Sequence, residues 1–160
     1  MELDEIIEVC RDVLRRLEKE RQARLAEYRD FATVCFKGRV TVDFGDCGSD
    51  YRGRRAIGSS ASDSIRIVPG LPVAAERSVF VHELCHVHLK HSEAPRRCTG
   101  RPLRLLRTHS NSLKTTVDSL PEEARADFIA EIERKEREAH ALAKELHPIL
   151  FPGQPYVLRK

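Results

Sequence analysis

Apolar and polar residues alternate along the N-terminal part of the chain with the period of an α-helix. Apolar side chains recur at intervals of three or four positions from Leu3 to Phe31, and charged residues fill most of the positions between them. This spacing leaves one apolar stripe and one polar face. It predicts a long amphipathic leading helix over residues 1–32.

The next segment has a different period. Residues 39–44 and 64–69 alternate apolar with polar side chains, which is typical of half-buried β-strands. The chain between these two segments is rich in glycine and serine, as connecting loops are. Residues 39–69 are therefore predicted to form a small antiparallel sheet.

Two further helices are predicted in the second half of the chain. Residues 72–91 begin with Pro72, which suits the first turn of a helix, and residues 119–147 carry another apolar stripe. Between them lies a basic insert, residues 94–117, which is interrupted by proline and glycine. The order helix, sheet, helix, insert, helix predicts an α+β fold in a single domain over residues 1–160.

Composition and charge indicate the class of protein and the cellular compartment to expect. Charged residues make up 33% of the chain and the net charge is +3, so a folded, water-soluble protein is expected. No apolar run approaches the roughly 20 residues of a membrane span, and the acidic N-terminus is unlike a signal peptide. The five cysteines form no C-x-x-C pair, which favours reduced thiols. We expect a cytoplasmic protein with no membrane contact.

The chemistry of the chain is concentrated in an H-E-x-x-H motif. His82 and His86 lie four residues apart, and Glu83 follows the first histidine. On a helix this spacing puts both imidazoles on one face, where they can bind one zinc ion, and leaves the glutamate beside a zinc-bound water as general base. Apart from the motif, residues 79–87 carry no charge. The motif predicts Zn²⁺ as cofactor and Glu83 as the catalytic residue.

A catalytic zinc usually has a third protein ligand. The pattern H-E-x-x-H-x-x-G-x-x-H does not apply, because Leu89 occupies its glycine position and Ser92 its final histidine position.

The predicted helix 119–147 offers better candidates. Glu136 lies closer to its apolar stripe than Glu133 or Glu138 does, and a carboxylate beside an apolar stripe needs a cation or another partner. Pattern alone thus favours Glu136 as third ligand and leaves Glu133 and Glu138 as less favoured alternatives.

The two motifs together resemble those of the ImmA/IrrE family of metallopeptidases. "FVHELCHVHLKH" and the later "EREAHALAKELHP" (136–148) are similar to the family's H-E-L-G-H helix and its E-x-E-A-(N/D)-x-F-A-x-x-L-(L/M)-x-P helix. The resemblance implies a minimal zincin-like domain. It also implies that His82, His86 and Glu136 bind zinc and that Glu83 is the general base.

The same resemblance implies a function. Members of this family are cytoplasmic zinc proteases that cut a helix-turn-helix repressor, often one encoded beside them in a phage, mobile element or stress regulon. The expected partner is therefore a protein substrate, specifically a DNA-binding repressor.

Three positions depart from the family pattern. Cys85 stands where the family has glycine, His140 where it has asparagine or aspartate, and Leu142 where it usually has phenylalanine. His140 matters most, because an imidazole there can replace Glu136 as ligand or support it.

The basic insert has six lysines and arginines and no acidic residue over 94–117. A solvated loop is the commonest explanation of such a run, and docking of an acidic substrate surface is the second. Direct nucleic-acid binding is not expected, since no aromatic residues are interleaved to stack on bases.

Two other functions fit parts of the sequence. One is a zinc-containing regulatory module that sequesters its partner without hydrolysis. The other is a DNA-associated protease of the SprT kind, although the third histidine soon after the motif and the Cys-pair zinc ribbon expected of that group are not evident in the sequence.

Overall fold

The computed structural model has the predicted α+β class. It describes residues 1–92 and 113–159, which contain four helices and a small three-stranded sheet. The elements in chain order are α1 (Leu3–Phe36), β1 (Thr41–Phe44), β2 (Gly58–Ser60), β3 (Ser64–Ile67), α2 (Val73–His88), α3 (Leu113–Ser119) and α4 (Glu122–Leu150).

The chain divides into two compact units, Met1–Val42 and Asp43–Lys160. The first unit is dominated by α1, which starts where the Glu5 carboxylate accepts a hydrogen bond from the Glu2 N–H at 3.0 Å. The helix ends where Lys37 takes up a left-handed backbone conformation with φ 53°. It runs slightly beyond the predicted 1–32. A single domain over the whole chain stays a prediction.

The sheet is mixed, so the prediction of an antiparallel sheet is wrong. Its strands lie in the order β1-β3-β2, and β2 pairs with β3 in antiparallel fashion, Gly58 opposite Ile67. β1 joins the other edge of β3 in the parallel sense. Alternation of apolar and polar residues determines which face is buried but not the direction of a strand. The long connection over residues 45–63 allows a parallel neighbour.

Helix α2 lies directly against β2 and β3. Its middle is buried, with Phe80 and Val81 completely inaccessible to solvent. The contact with β2 requires a glycine, because a Cβ atom at Gly58 would lie 2.5 Å from Val79 Cγ1 and 2.8 Å from Glu83 Oε1. The H-E-x-x-H motif is therefore held close to the backbone of a strand.

Helix α4 packs against α2. Ala139 and Ala143, which are one turn apart, are completely buried, and such small side chains let two helices approach closely. The helix was predicted over 119–147, and it lies three residues farther along the chain. Pro148 occurs inside its last turn instead of ending it.

Most of the predicted basic insert, residues 94–112, lies outside the described residues. Its last part is helical, because residues 113–117 belong to α3. In the part of the chain that the structure describes, no helix is both long and apolar enough to cross a membrane.

The C-terminal segment after α4 folds back onto α2. Phe151 is buried, and the Val157 N–H donates a hydrogen bond to Ser78 Oγ at 3.0 Å. Arg77 of α2 also donates a hydrogen bond to Gln154. These contacts bring Tyr156 to the side of the helix that carries the two motif histidines.

Candidate metal centre

Three predicted ligands meet between α2 and α4. His82 Nε2 lies 2.9 Å from Glu136 Oε2, and His86 Nε2 lies 3.1 Å from Glu136 Oε1. The two Nε2 atoms are 3.0 Å apart. In the described residues, His82, His86 and Glu136 form the group of side chains that can hold a metal ion.

The size of this triangle fits a small divalent cation. Ligand atoms at about 2.0–2.1 Å from a tetrahedral zinc lie roughly 3.3 Å from one another. The observed separations of 2.9–3.1 Å fall a few tenths of an ångström below that value, with His82 and His86 each nearest to a different carboxylate oxygen of Glu136. Two imidazole nitrogens and one carboxylate oxygen are also the donor types that zinc binds in catalytic sites.

A further histidine, His91, contacts the ring nitrogen of His86 that does not face Glu136. His86 Nδ1 lies 2.9 Å from His91 Nδ1, and His91 Nε2 lies 2.9 Å from Glu138 Oε2. Lys135 donates a hydrogen bond to the His91 carbonyl oxygen at 2.8 Å. His91 is thus fixed through both its ring and its backbone.

A phenol supports His82 in a comparable way. The Tyr156 hydroxyl lies 3.4 Å from His82 Nδ1 and 3.2 Å from His140 Nδ1. Burial raises the pKa of the Tyr156 phenol, so this group remains neutral and can both donate and accept.

These contacts are consistent with one arrangement of protons. If His86 Nδ1–H donates to His91 and His91 Nε2–H donates to Glu138, the Nε2 atom of His86 is bare. If His82 Nδ1–H donates to Tyr156, its Nε2 atom is bare as well. Two bare nitrogens and a carboxylate at 2.9–3.1 Å repel one another unless a cation lies between them.

The opposite arrangement is less favourable. With neutral rings and protons on both Nε2 atoms, two N–H groups of His82 and His86 would oppose each other at 3.0 Å. His91 would then face the Glu138 carboxylate with a bare nitrogen. Among the neutral forms of these rings, the hydrogen-bond network therefore favours the one whose Nε2 atoms are free to bind a metal.

Glu136 is ionised in this setting. Partial burial favours its neutral form, but the influence of the His82 and His86 imidazoles outweighs burial and holds the pKa of the Glu136 carboxyl well below its usual range. Its side chain is still 53% exposed. The centre thus has one side open to solvent.

Glu83 lies beside the triangle without being part of it. The residue is 8% exposed, and its carboxylate makes a hydrogen bond with Ser60 of β2. Burial raises the pKa of Glu83 above its ordinary value, although the Ser60 bond and the two motif imidazoles act the other way. A carboxylate with a raised pKa accepts a proton more readily near neutral pH.

The alternative ligands make other contacts. Glu133 accepts a hydrogen bond from the Tyr51 hydroxyl at 2.8 Å, and Glu138 binds His91 and Arg134. His140 contacts Tyr156 and supplies no atom to the triangle. Burial raises the pKa of the Cys85 thiol to about 12, so this residue stays protonated.

His91 and Tyr156 were not predicted from the sequence as parts of this centre. Within a continuous helix His91 would not lie on the face of His82 and His86, yet its side chain is buried beside His86 and is 7% exposed. Helix α2 ends at His88, Lys90 takes a left-handed conformation, and the His91 N–H returns to the His86 carbonyl at 3.1 Å. The sequence feature that could have pointed to this contact was the presence of a further histidine five residues after His86.

Comparison with models of known protein families, with curated protein sequences and with solved structures found no match. The resemblance to the ImmA/IrrE metallopeptidases therefore stays a prediction from the two motifs.

Proposed function

We propose that this protein is a zinc-dependent endopeptidase of zincin-like fold that cleaves a regulatory protein. The observation that supports it most is the convergence of His82, His86 and Glu136 on one point beside the buried carboxylate of Glu83. A structural zinc site needs four protein ligands and no neighbouring base. Three ligands and a base suit hydrolysis.

A zinc ion held by these residues would acidify a water molecule and polarise a peptide carbonyl. Glu83 would take the proton of that water and pass it to the leaving amine. Ser60 orients Glu83 for this role, and His91 and Tyr156 keep the Nε2 atoms of the two ligand histidines turned toward the metal.

The edge of the sheet offers a way to bind an extended peptide. β2 pairs with β3 on one side, and among the described residues no strand pairs with its other side. An extended substrate can add to such an edge through backbone hydrogen bonds. Since Ser60 of β2 contacts Glu83, a peptide bound there would pass beside the proposed base.

The class of substrate follows from the ImmA/IrrE resemblance. We propose a helix-turn-helix repressor as the protein that is cut. The basic residues between 94 and 117 can attract an acidic surface on such a partner.

The test is a cleavage assay with matched variants. The zinc-loaded protein and its Glu83→Gln variant are incubated with the helix-turn-helix repressor encoded nearest to its gene and, separately, with peptides derived from a whole proteome. Mass spectrometry then identifies new termini. We expect cleavage by the wild type that Glu83→Gln lowers by at least about 100-fold, the lower end of the range for a general base.

The controls separate loss of chemistry from loss of metal. Glu83→Gln should bind zinc as tightly as the wild type, because it removes the base and retains the three ligands. Binding of the repressor without new termini would instead favour the sequestering module. Equal cleavage by Glu83→Gln would contradict the assigned role of Glu83.

A further inference from the structure

The N-terminal half of α1 carries an uncovered apolar stripe. At about 100° per residue, seven side chains fall within about 60° of the direction of Cys10. All seven are exposed, Leu3 at 69% and Leu14 at 65%. They are Leu3, Ile6, Ile7, Cys10, Val13, Leu14 and Leu17.

The same stripe is buried farther along the helix. Leu25, Tyr28 and Ala32 continue it on the same face and are at most 5% exposed. Arg21 and Arg24 separate the two parts. Helices in proteins draw most of their stability from packing of an apolar face. In the part of the chain that the structure describes, the first part of α1 lacks the packing that buries its second part.

The charges of this segment indicate what can cover the stripe. Residues 2–8 contain four acidic side chains and no basic one, whereas residues 11–17 contain three arginines and one aspartate. Two parallel copies would set acidic against acidic and basic against basic. Two antiparallel copies set the acidic block of each against the basic block of the other.

We propose that residues 3–17 of α1 pair with the same segment of a second copy of this chain in antiparallel orientation. The contact is self-complementary, as a two-fold symmetric dimer requires. Cys10 lies near its centre and the stripes of the two helices cover each other. Arg11, Arg15 and Arg16 now form exposed ion pairs within the helix, which are weak and can exchange for pairs across the dimer.

The first experiment measures the mass of the full chain by sedimentation velocity between 1 and 100 µM. We expect a dimer for the wild type and a monomer for the double variant Ile6→Glu with Val13→Glu. Val34→Glu is the matched control, since Val34 is an 81% exposed apolar residue of the same helix that lies off the stripe. This control should stay dimeric, and circular dichroism should show all three proteins folded.

The second experiment tests orientation by disulfide formation in chains whose Cys10 and Cys35 are replaced by serine. Leu3→Cys and Leu17→Cys chains should cross-link when mixed, and neither should cross-link with itself. The native cysteines give an internal check. Cys35 lies 25 residues beyond Cys10, about 37 Å along a helix that rises about 1.5 Å per residue. A short bismaleimide should therefore join Cys10 to Cys10 but not Cys35 to Cys35.

Each outcome decides the proposal. A monomeric wild type at 100 µM overturns it, even if α1 then binds lipid vesicles or another protein. A dimer that survives Ile6→Glu with Val13→Glu overturns the stripe as its interface. Cross-linking of Leu3→Cys with itself overturns the antiparallel orientation. None of these results depends on zinc or on peptidase activity.

Discussion

The two halves of the candidate metal centre differ in how they are held. The α2 half, His82 and His86, lies in a buried helix against the sheet, and the His82 side chain is 12% exposed. The α4 half, Glu136, belongs to a mostly polar helix and is 53% exposed. A buried ligand has no substitute when it is removed, whereas water can replace an exposed one. The α2 half should therefore dominate metal affinity.

The largest effect is expected from the α2 half. His86→Ala removes an imidazole that water cannot reach easily, and it leaves the Nδ1 atom of His91 without its contact to His86. We expect zinc affinity to fall by more than about 100-fold, above the range for supporting residues. Competition with a chromogenic chelator measures the change. Full affinity in His86→Ala would mean that the metal, if bound, lies elsewhere.

A smaller effect is expected from the α4 half. Glu136→Ala should weaken zinc binding by about 10- to 100-fold, because solvent can fill the position of the lost carboxylate. Glu133→Ala is the matched control on the same helix, since its carboxylate contacts Tyr51 instead of the histidines. Equal losses in the two variants would show that Glu136 has no special role.

The contact between His91 and His86 should raise zinc affinity by about 10-fold, which is the lower end of the range for residues that hydrogen-bond to a metal ligand. His91→Ala removes the acceptor of the His86 Nδ1–H, while His91→Gln keeps an acceptor and should recover part of the loss. His88→Ala is the control, because His88 is exposed on the same helix. A His91→Gln variant no better than His91→Ala would indicate packing instead of hydrogen bonding.

The smallest effect is expected at Tyr156. Its hydroxyl lies 3.4 Å from His82 Nδ1, a longer contact than that of His91 with His86. Tyr156→Phe should lower zinc affinity by less than about 10-fold, with the fold unchanged because the ring is retained. The affinity of Tyr156→Phe relative to His91→Ala ranks the two supports directly.

The two halves of the metal centre also differ in how well the sequence alone predicts them. The four-residue spacing of His82 and His86 places both side chains on one face of the helix, because they are about one turn apart. Glu136 was favoured from its place beside an apolar stripe, which is a weaker signal, since the contact depends on how α4 packs on α2. His91 escaped prediction because it follows a left-handed residue at Lys90, and periodicity holds only within a helix.

The fold shows a similar division. The predicted helices and the two predicted strands, β1 and β3, occur within a few residues of their expected positions, because amphipathic periods are local properties of the sequence. The direction of β1 was wrong because no local pattern encodes it. Tyr156 lies after α4 in an irregular segment, where tertiary contacts such as the hydrogen bond of its neighbour Val157 to Ser78 define its place.

X-ray absorption at the zinc edge, on protein loaded with one equivalent of zinc, tests the central claim most directly. We predict a first shell of nitrogen and oxygen at about 2.0–2.1 Å, with outer scattering from two imidazole rings that drops to one ring in His86→Ala. A sulfur shell at about 2.3 Å, or the absence of stoichiometric zinc, would contradict it.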